Sequence, residues 1–193
     1  MGATEDAVAR LAASESLEFR RGASLPWLTN KGHLAEGVAG KLDEETLAAL
    51  RSIYQELGGD ESLLASKRSG SDPRIDLLHG ALAIEVDEIQ HFTTDRMRTL
   101  EFYPLDADVL FNADEYRAAI RLWHQRADRY RASKPTRDFP FAGGRRAQRA
   151  YFDAFRDLVA PSFGLRILRV PAPECEGALA YKRLHAALEG TTP

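Results

Sequence analysis

Apolar residues recur at helical spacing in five stretches of the chain. Val8, Leu11, Ala12 and Leu17 mark a short helix over 4–20, with Thr4 as its N-cap. The cleanest pattern is "LDEETLAALRSIYQELGG", where Asp43 precedes the first turn, Leu47, Leu50, Ile53, Tyr54 and Leu57 form one stripe, and Gly58 and Gly59 end it. A longer helix over 112–133, capped at Asn112 or Asp114, sets Tyr116, Ala119, Ile120, Trp123 and Tyr130 on one side and arginines on the other. "RRAQRAYFDAFRDLVAPSF" predicts a fourth helix through Ala147, Tyr151, Phe155, Leu158 and Val159, and "CEGALAYKRLHAALEG" a fifth that stops at Gly190.

Between them lie shorter runs with the character of strands. "SLLASKR" (62–68), "RIDLLHG" (74–80) after the turn "SGSDP", and "ALAIEVD" (81–87) after a tight connection at Gly80 predict a three-stranded meander. "LRILRVP" (165–171) alternates as one further strand. Residues 21–41 are rich in Gly and read as a loop with one helical turn. In 92–112, "TDRMRTLEFY" reads as helical and "ADVLFN" as a short strand or buried turn. The order helix, three strands, a helical stretch, helix, strand, helix is a mixed α/β plan.

Composition narrows the class without naming a function. The 193 residues are 44% hydrophobic and 28% charged, enough to bury a core without a staple. No run approaches the length of a membrane span, and the acidic, polar start "MGATEDAVARLAASES" is unlike a signal peptide, so a cytoplasmic location and no membrane partner are expected. Cys175 is the only cysteine, which leaves no internal disulfide and no cysteine-based zinc cluster. The net charge of −3 hides an asymmetry, because residues 115–149 hold ten Arg or Lys against three acids. Such a window is either a footprint for a polyanion or a solvated helix face.

The most pointed chemistry is in "ALAIEVDEIQHF", residues 81–92. Strand alternation sets Glu85 and Asp87 on one face, and a tight turn at Gly80 brings Asp76 of the preceding strand close to the register of Glu85. Carboxylates so placed repel one another, and with oxygen ligands alone the neutralising species is a hard cation, Mg²⁺ or Mn²⁺. Such an ion activates water and stabilises phosphoryl charge, while Gln90 and His91 stand where they orient water and carry a proton. The alternative is that Glu85 and Asp87 pair with Arg74, Arg96 or Arg98 and have no ligand.

The series Asp76, Glu85-Val86-Asp87, Gln90-His91, followed later by "GLRILRV", resembles the PD-(D/E)XK, restriction-endonuclease-like nucleases, in particular the very-short-patch repair endonuclease branch with its E-x-D-x-x-Q-H strand. The resemblance implies an α/β restriction-endonuclease-like core, a mixed sheet flanked by helices in the order helix-strand-strand-strand-helix-strand with a helical insertion. The divisions would be an N-terminal helix and loop (1–42), the core (43–91 and 143–171), a basic insertion (92–142) and a C-terminal helix (172–193). Asp76 and Glu85 would ligate the metal with the carbonyl of Val86, Asp87 would stand in the place of the usual lysine, and Gln90 and His91 would match the Q-H pair. Glu88 occupies the place of a common glycine, and the motif has no lysine. Lys67, Arg146 and Arg149 are the cations nearest to supplying one. The implied activity is metal-dependent endonucleolytic hydrolysis of DNA, with Arg117, Arg121, Arg126, Arg129, Arg146 and Arg149 on the phosphate backbone. A non-catalytic nucleic-acid-binding or protein-interaction module on the same fold is the competing reading.

Overall fold

A computed structural model describes residues 2–68 and 72–191, with side chains through 189. Residues 69–71, the first part of the expected "SGSDP" turn, lie outside the described residues. The chain forms helices α1 (Ala3–Ser14), α2 (Glu44–Glu56), α3 (Glu61–Ala65), α4 (Thr94–Thr99), α5 (Ala113–Ala127), α6 (Gly144–Val159) and α7 (Gly177–Thr191). Its strands are β1 (Arg20–Ala23), β2 (Ile75–His79), β3 (Leu82–Glu88) and β4 (Arg166–Ala172). They make one mixed sheet in the order β1-β2-β3-β4. The first two pairings are antiparallel and β3 runs parallel to β4.

Two layers of helix enclose the sheet. On one face Ile84 and Val86 of β3 and Leu168 and Val170 of β4 pack with Val8 and Ala12 of α1 and Ala180 and Leu184 of α7. On the other face Ala83 and Ile167 join the largest cluster, in which Leu50, Ile53 and Tyr54 of α2 meet Tyr151, Phe155 and Leu158 of α6. A third cluster, Phe92, Leu100, Tyr116, Ile120 and Ala127, holds α4 and α5 together beside α6. β3, central and buried over five consecutive residues, reads as the continuous apolar run of a strand covered on both sides, interrupted by its acids.

The segment 62–68 is not the first strand of the meander. Asp60 accepts hydrogen bonds from the N–H groups of Ser62 (2.9 Å) and Leu63 (3.2 Å), and α3 follows. The vacant place is taken by β1, whose Arg20 lies opposite Leu78 and Ala23 opposite Ile75. The region 21–41 thus contributes an edge strand and two short 3-10 turns in place of a loop with a single turn. The first helix ends six residues early, at Ser14, and its cap position is Gly2 instead of Thr4. Asp43 caps α2 as expected, accepting from Thr46 N–H at 2.7 Å, and Asn112 is the cap of α5. α5 stops at Ala127, so Tyr130 lies beyond it and is exposed. α4 covers only Thr94–Thr99 of the helix expected there, the segment 107–112 is irregular, and α7 continues past Gly190 to Thr191. Gly80 turns the β2–β3 hairpin with φ at +56°, a backbone region glycine enters without penalty.

Candidate functional site

The hairpin sets the first two acids side by side. Leu77 lies opposite Ile84, which brings Asp76 abreast of Glu85, and Asp76 Oδ2 accepts a hydrogen bond from the N–H of Val86 at 2.9 Å. In an antiparallel ladder a residue turns its N–H and C=O to the same neighbour, so the Val86 carbonyl faces the same side as Asp76.

Asp76 and Val86 line a small hollow of about 130 Å³ with Glu5, Glu88, Gln90 and His91. Burial, and after it the charge of Asp76, pushes the Glu5 carboxyl above the usual range, and its Oε1 is buried with no hydrogen-bond partner. Asp76 is likewise raised by burial. Glu85, 3% exposed, is raised well above the carboxylate range by burial, against the pull of Arg156 and with the push of Asp76. Its Oε1 also lacks a hydrogen-bond partner, and Arg156 Nε stands 3.4 Å away, equally unpartnered. Burial holds all three carboxyls toward the protonated form and two of them carry orphaned oxygens, but only Glu5 and Asp76 line the hollow, while Glu85 faces Arg156. No group of three or more His, Cys, Asp or Glu among the described residues is arranged to hold a metal, so a metal site would rest on two carboxylates completed by a carbonyl and water.

Glu88 does something different from its neighbours. Burial works to raise its carboxyl, but hydrogen bonds from Thr4 and Gln90 outweigh that and bring it below the usual range. It closes the N-terminus of α1, where a Cβ on Gly2 would press on its carboxylate. Gln90 Nε2 donates to Glu88 Oε2 at 3.1 Å.

Asp87 belongs to a separate, completely buried ionic network. Arg169 Nη1 donates to Asp87 Oδ1 (2.8 Å) and Oδ2 (3.0 Å), its Nε to Asp157 Oδ1 (2.8 Å) and its Nη2 to the carbonyl of Asp153 (3.0 Å). Tyr116 OH donates to Asp87 Oδ2 at 2.7 Å. Arg96 Nη2 donates to Asp157 Oδ2 at 2.5 Å, and Tyr103 OH donates to the same oxygen at 2.7 Å while accepting from Arg96 Nη1 at 2.7 Å. Burial tends to strip the Arg169 charge, yet Asp157, Asp87 and Asp153 outweigh it and hold the guanidinium well above its ordinary value. The ion pairs considered from sequence are therefore replaced. Asp87 meets Arg169, Glu85 faces Arg156, Arg96 meets Asp157, and Arg98 lies 3.9 Å from Asp95.

His91 connects the two regions. Its Nδ1 lies 2.8 Å from Asp153 Oδ2 and 3.5 Å from Asp87 Oδ1. Burial alone would raise Asp153, but His91, Arg169 and Arg156 outweigh it and hold the carboxyl far below the usual range. His91 lines the small hollow and also a second cavity of about 650 Å³. That cavity carries Lys67, Arg68, Arg137, Arg145, Arg149 and Arg156. Lys67 sits at the end of α3, 2.7 Å from the buried Asp138 and over the ring of Phe152. Burial, and the nearby Arg145 against the help of Asp153, pulls the Arg149 guanidinium below its ordinary value.

Of the arginines singled out for phosphate contact, only Arg149 lines this cavity. Arg146 is bound to Asp95 at 2.6 Å and lies 3.6 Å from Asp128. Arg117 bonds Asp114 and the Leu100 carbonyl. Arg121, Arg126 and Arg129 are exposed and stand away from the cavity lining. Sequence reasoning missed Glu5, Asp153, Asp157 and Arg169. The last had a signal, since Arg169 alternates in phase with the buried Ile167 and so required buried acids to meet it. Comparison of the chain with family models, with curated proteins and with solved structures finds no match to any of them.

Proposed function

We propose that the protein is a divalent-metal-dependent endonuclease of the restriction-endonuclease-like type, hydrolysing phosphodiester bonds in DNA. One observation carries this reading: an acid-lined hollow and a strongly basic cavity meet at a single histidine. The sheet adds support. A helix, three antiparallel-paired strands, helices and a parallel fourth strand occur in chain order, although the leading helix and first strand are α1 and β1 in place of the expected 43–57 and 62–68, with α2 and α3 inserted between β1 and β2.

Asp76 and Glu85, with the carbonyl of Val86, would hold Mg²⁺ or Mn²⁺, and Glu5 stands beside Asp76. A metal bound there supplies a more acidic water and a counter-charge for the phosphoryl oxygens. The chain's own groups do the rest. Asp153 holds His91 Nδ1 and so orients the ring, leaving Nε2 to take or deliver a proton. Gln90 is fixed through Glu88 at the rim of the acid hollow. The cations of the larger cavity hold the phosphates.

A second reading rests on Arg156, whose guanidinium faces Glu85 at 3.4 Å as a counter-charge belonging to the protein itself. On that reading the protein binds nucleic acid and does not cut it. Titration calorimetry with Mn²⁺ and Mg²⁺, run beside cleavage of labelled DNA, separates the two. Metal binding and metal-dependent cleavage that both fall at least about tenfold in Asp76→Asn and Glu85→Gln support the nuclease. Native protein that takes up neither ion and cleaves nothing overturns it in favour of the binding module.

A further inference from the structure

The geometry of the larger cavity bears on the form of its ligand. Three of its cations, Arg145, Arg149 and Arg156, lie on one face of α6, a row about 16 Å long that ends beside His91 and Asp153. Lys67, Arg68 and Arg137 complete the cationic lining, and Phe152, on the same face of α6, is buried in the core beneath the Lys67 ammonium, which stands 5.5 Å from the ring centroid. The volume of about 650 Å³ is that of a small-ligand cleft, far smaller than the footprint of a duplex laid across the protein surface. The exposed Arg121 and Arg126 of α5 do not line it. A row of cations along one helix face, in a concave groove, is equipment for tracking a single phosphate backbone.

We propose that this cavity binds one strand of a polynucleotide, a few nucleotides at a time, and feeds it to the acid hollow along α6. The inference deepens the nuclease reading and rests on it for the fate of the strand, but binding itself requires no metal. It separates the working basic surface from the one that sequence emphasised. The face of α6 carries the ligand, and the face of α5 is solvated.

The test is fluorescence anisotropy in EDTA, with a short end-labelled single-stranded DNA, the same sequence as a duplex, and a mononucleotide as competitor. Arg145→Ala/Arg149→Ala is compared with Arg121→Ala/Arg126→Ala, and thermal unfolding confirms that each folds. The single variant Arg145→Glu, at a side chain that donates to Gln148 and is half-buried, guards against a fold defect in the α6 pair. Native protein is expected to favour the single strand. The α6 variants should lose about tenfold or more, and the slope of log K against log salt should flatten by about 1.4 for two lost phosphate contacts. The α5 variant should bind as native does. Equal binding by all proteins, an equal loss in the α5 variant, preference for the duplex, or full displacement by the mononucleotide would each overturn the inference. The nuclease reading fails separately: strand binding with the expected variant pattern, and no cleavage on adding Mn²⁺, sinks catalysis and leaves the cavity assignment standing.

Discussion

Replacing Arg169 by Met tests the buried network most directly. The guanidinium supplies both hydrogen bonds from Arg169 to Asp87, one to Asp157 and one to the Asp153 carbonyl, all at 2.8–3.0 Å with no exposed side chain among the ionic partners. Without it, Asp157 keeps Arg96 and Tyr103, but Asp87 retains only Tyr116 OH and a more distant His91. Removing one partner of a buried ion pair costs about 3–5 kcal/mol because the other charge stays behind. Against a total stability of about 5–15 kcal/mol this is a large fraction. With a urea slope of about 2 kcal/mol/M, the unfolding midpoint should fall by about 1.5–2.5 M, followed by the fluorescence of the buried Trp27. Asp87→Leu alone should be costly as well, and the double variant should cost less than the sum by about 1–3 kcal/mol, because no stranded charge remains at that pair. A cost below about 1.5 kcal/mol for Arg169→Met, or strict additivity in the double variant, would refute the claim that these charges depend on one another.

Two further outcomes follow from the same structure. Glu5, Asp76 and Glu85 have carboxyls raised above their unfolded values, so the folded chain binds more protons, and metal-free stability should decline as pH rises from about 4 through their folded values. Glu85→Gln should flatten that decline in calorimetric scans with a chelator present, and an unchanged pH slope would count against the burial of Glu85. Gly32→Ala should cost about 2 kcal/mol or more, since Gly32 has φ at +53° and a Cβ there would press on the Tyr151 hydroxyl; a Tm within a degree of native would contradict this packing.

The parts of the fold legible in the sequence are those where one physical signal dominates. α2 carries a cap, an apolar stripe and terminal glycines that all agree, and the β2–β3 hairpin is announced by Gly80 between apolar runs. β1 was hidden because four residues, two of them exposed arginines, have no alternation long enough to see, and they become a strand only through pairing with β2. In 62–68 the short apolar run resembled a strand, and the Asp60 cap just before it was the overlooked cue. The site divides in the same way. The adjacency of Asp76 and Glu85 follows from a two-stranded register, which local sequence controls. The hydrogen-bond donors to Asp87 come from β4 and α5, separated from it by up to 82 residues, and no local pattern specifies that meeting.

The docking of α1 has a practical consequence for anyone handling the protein. Gly2 forms part of the wall of the acid hollow, and the Glu88 carboxylate closes over it. A segment fused to the N-terminus therefore joins the chain within one residue of a wall of the hollow that also holds Asp76. A histidine-rich purification tag placed there would bring its own metal ligands to the site, whereas one placed after α7 would enter from the other end of the chain. The two preparations are different reagents, and titrations are best made on protein tagged after α7 or with the tag removed.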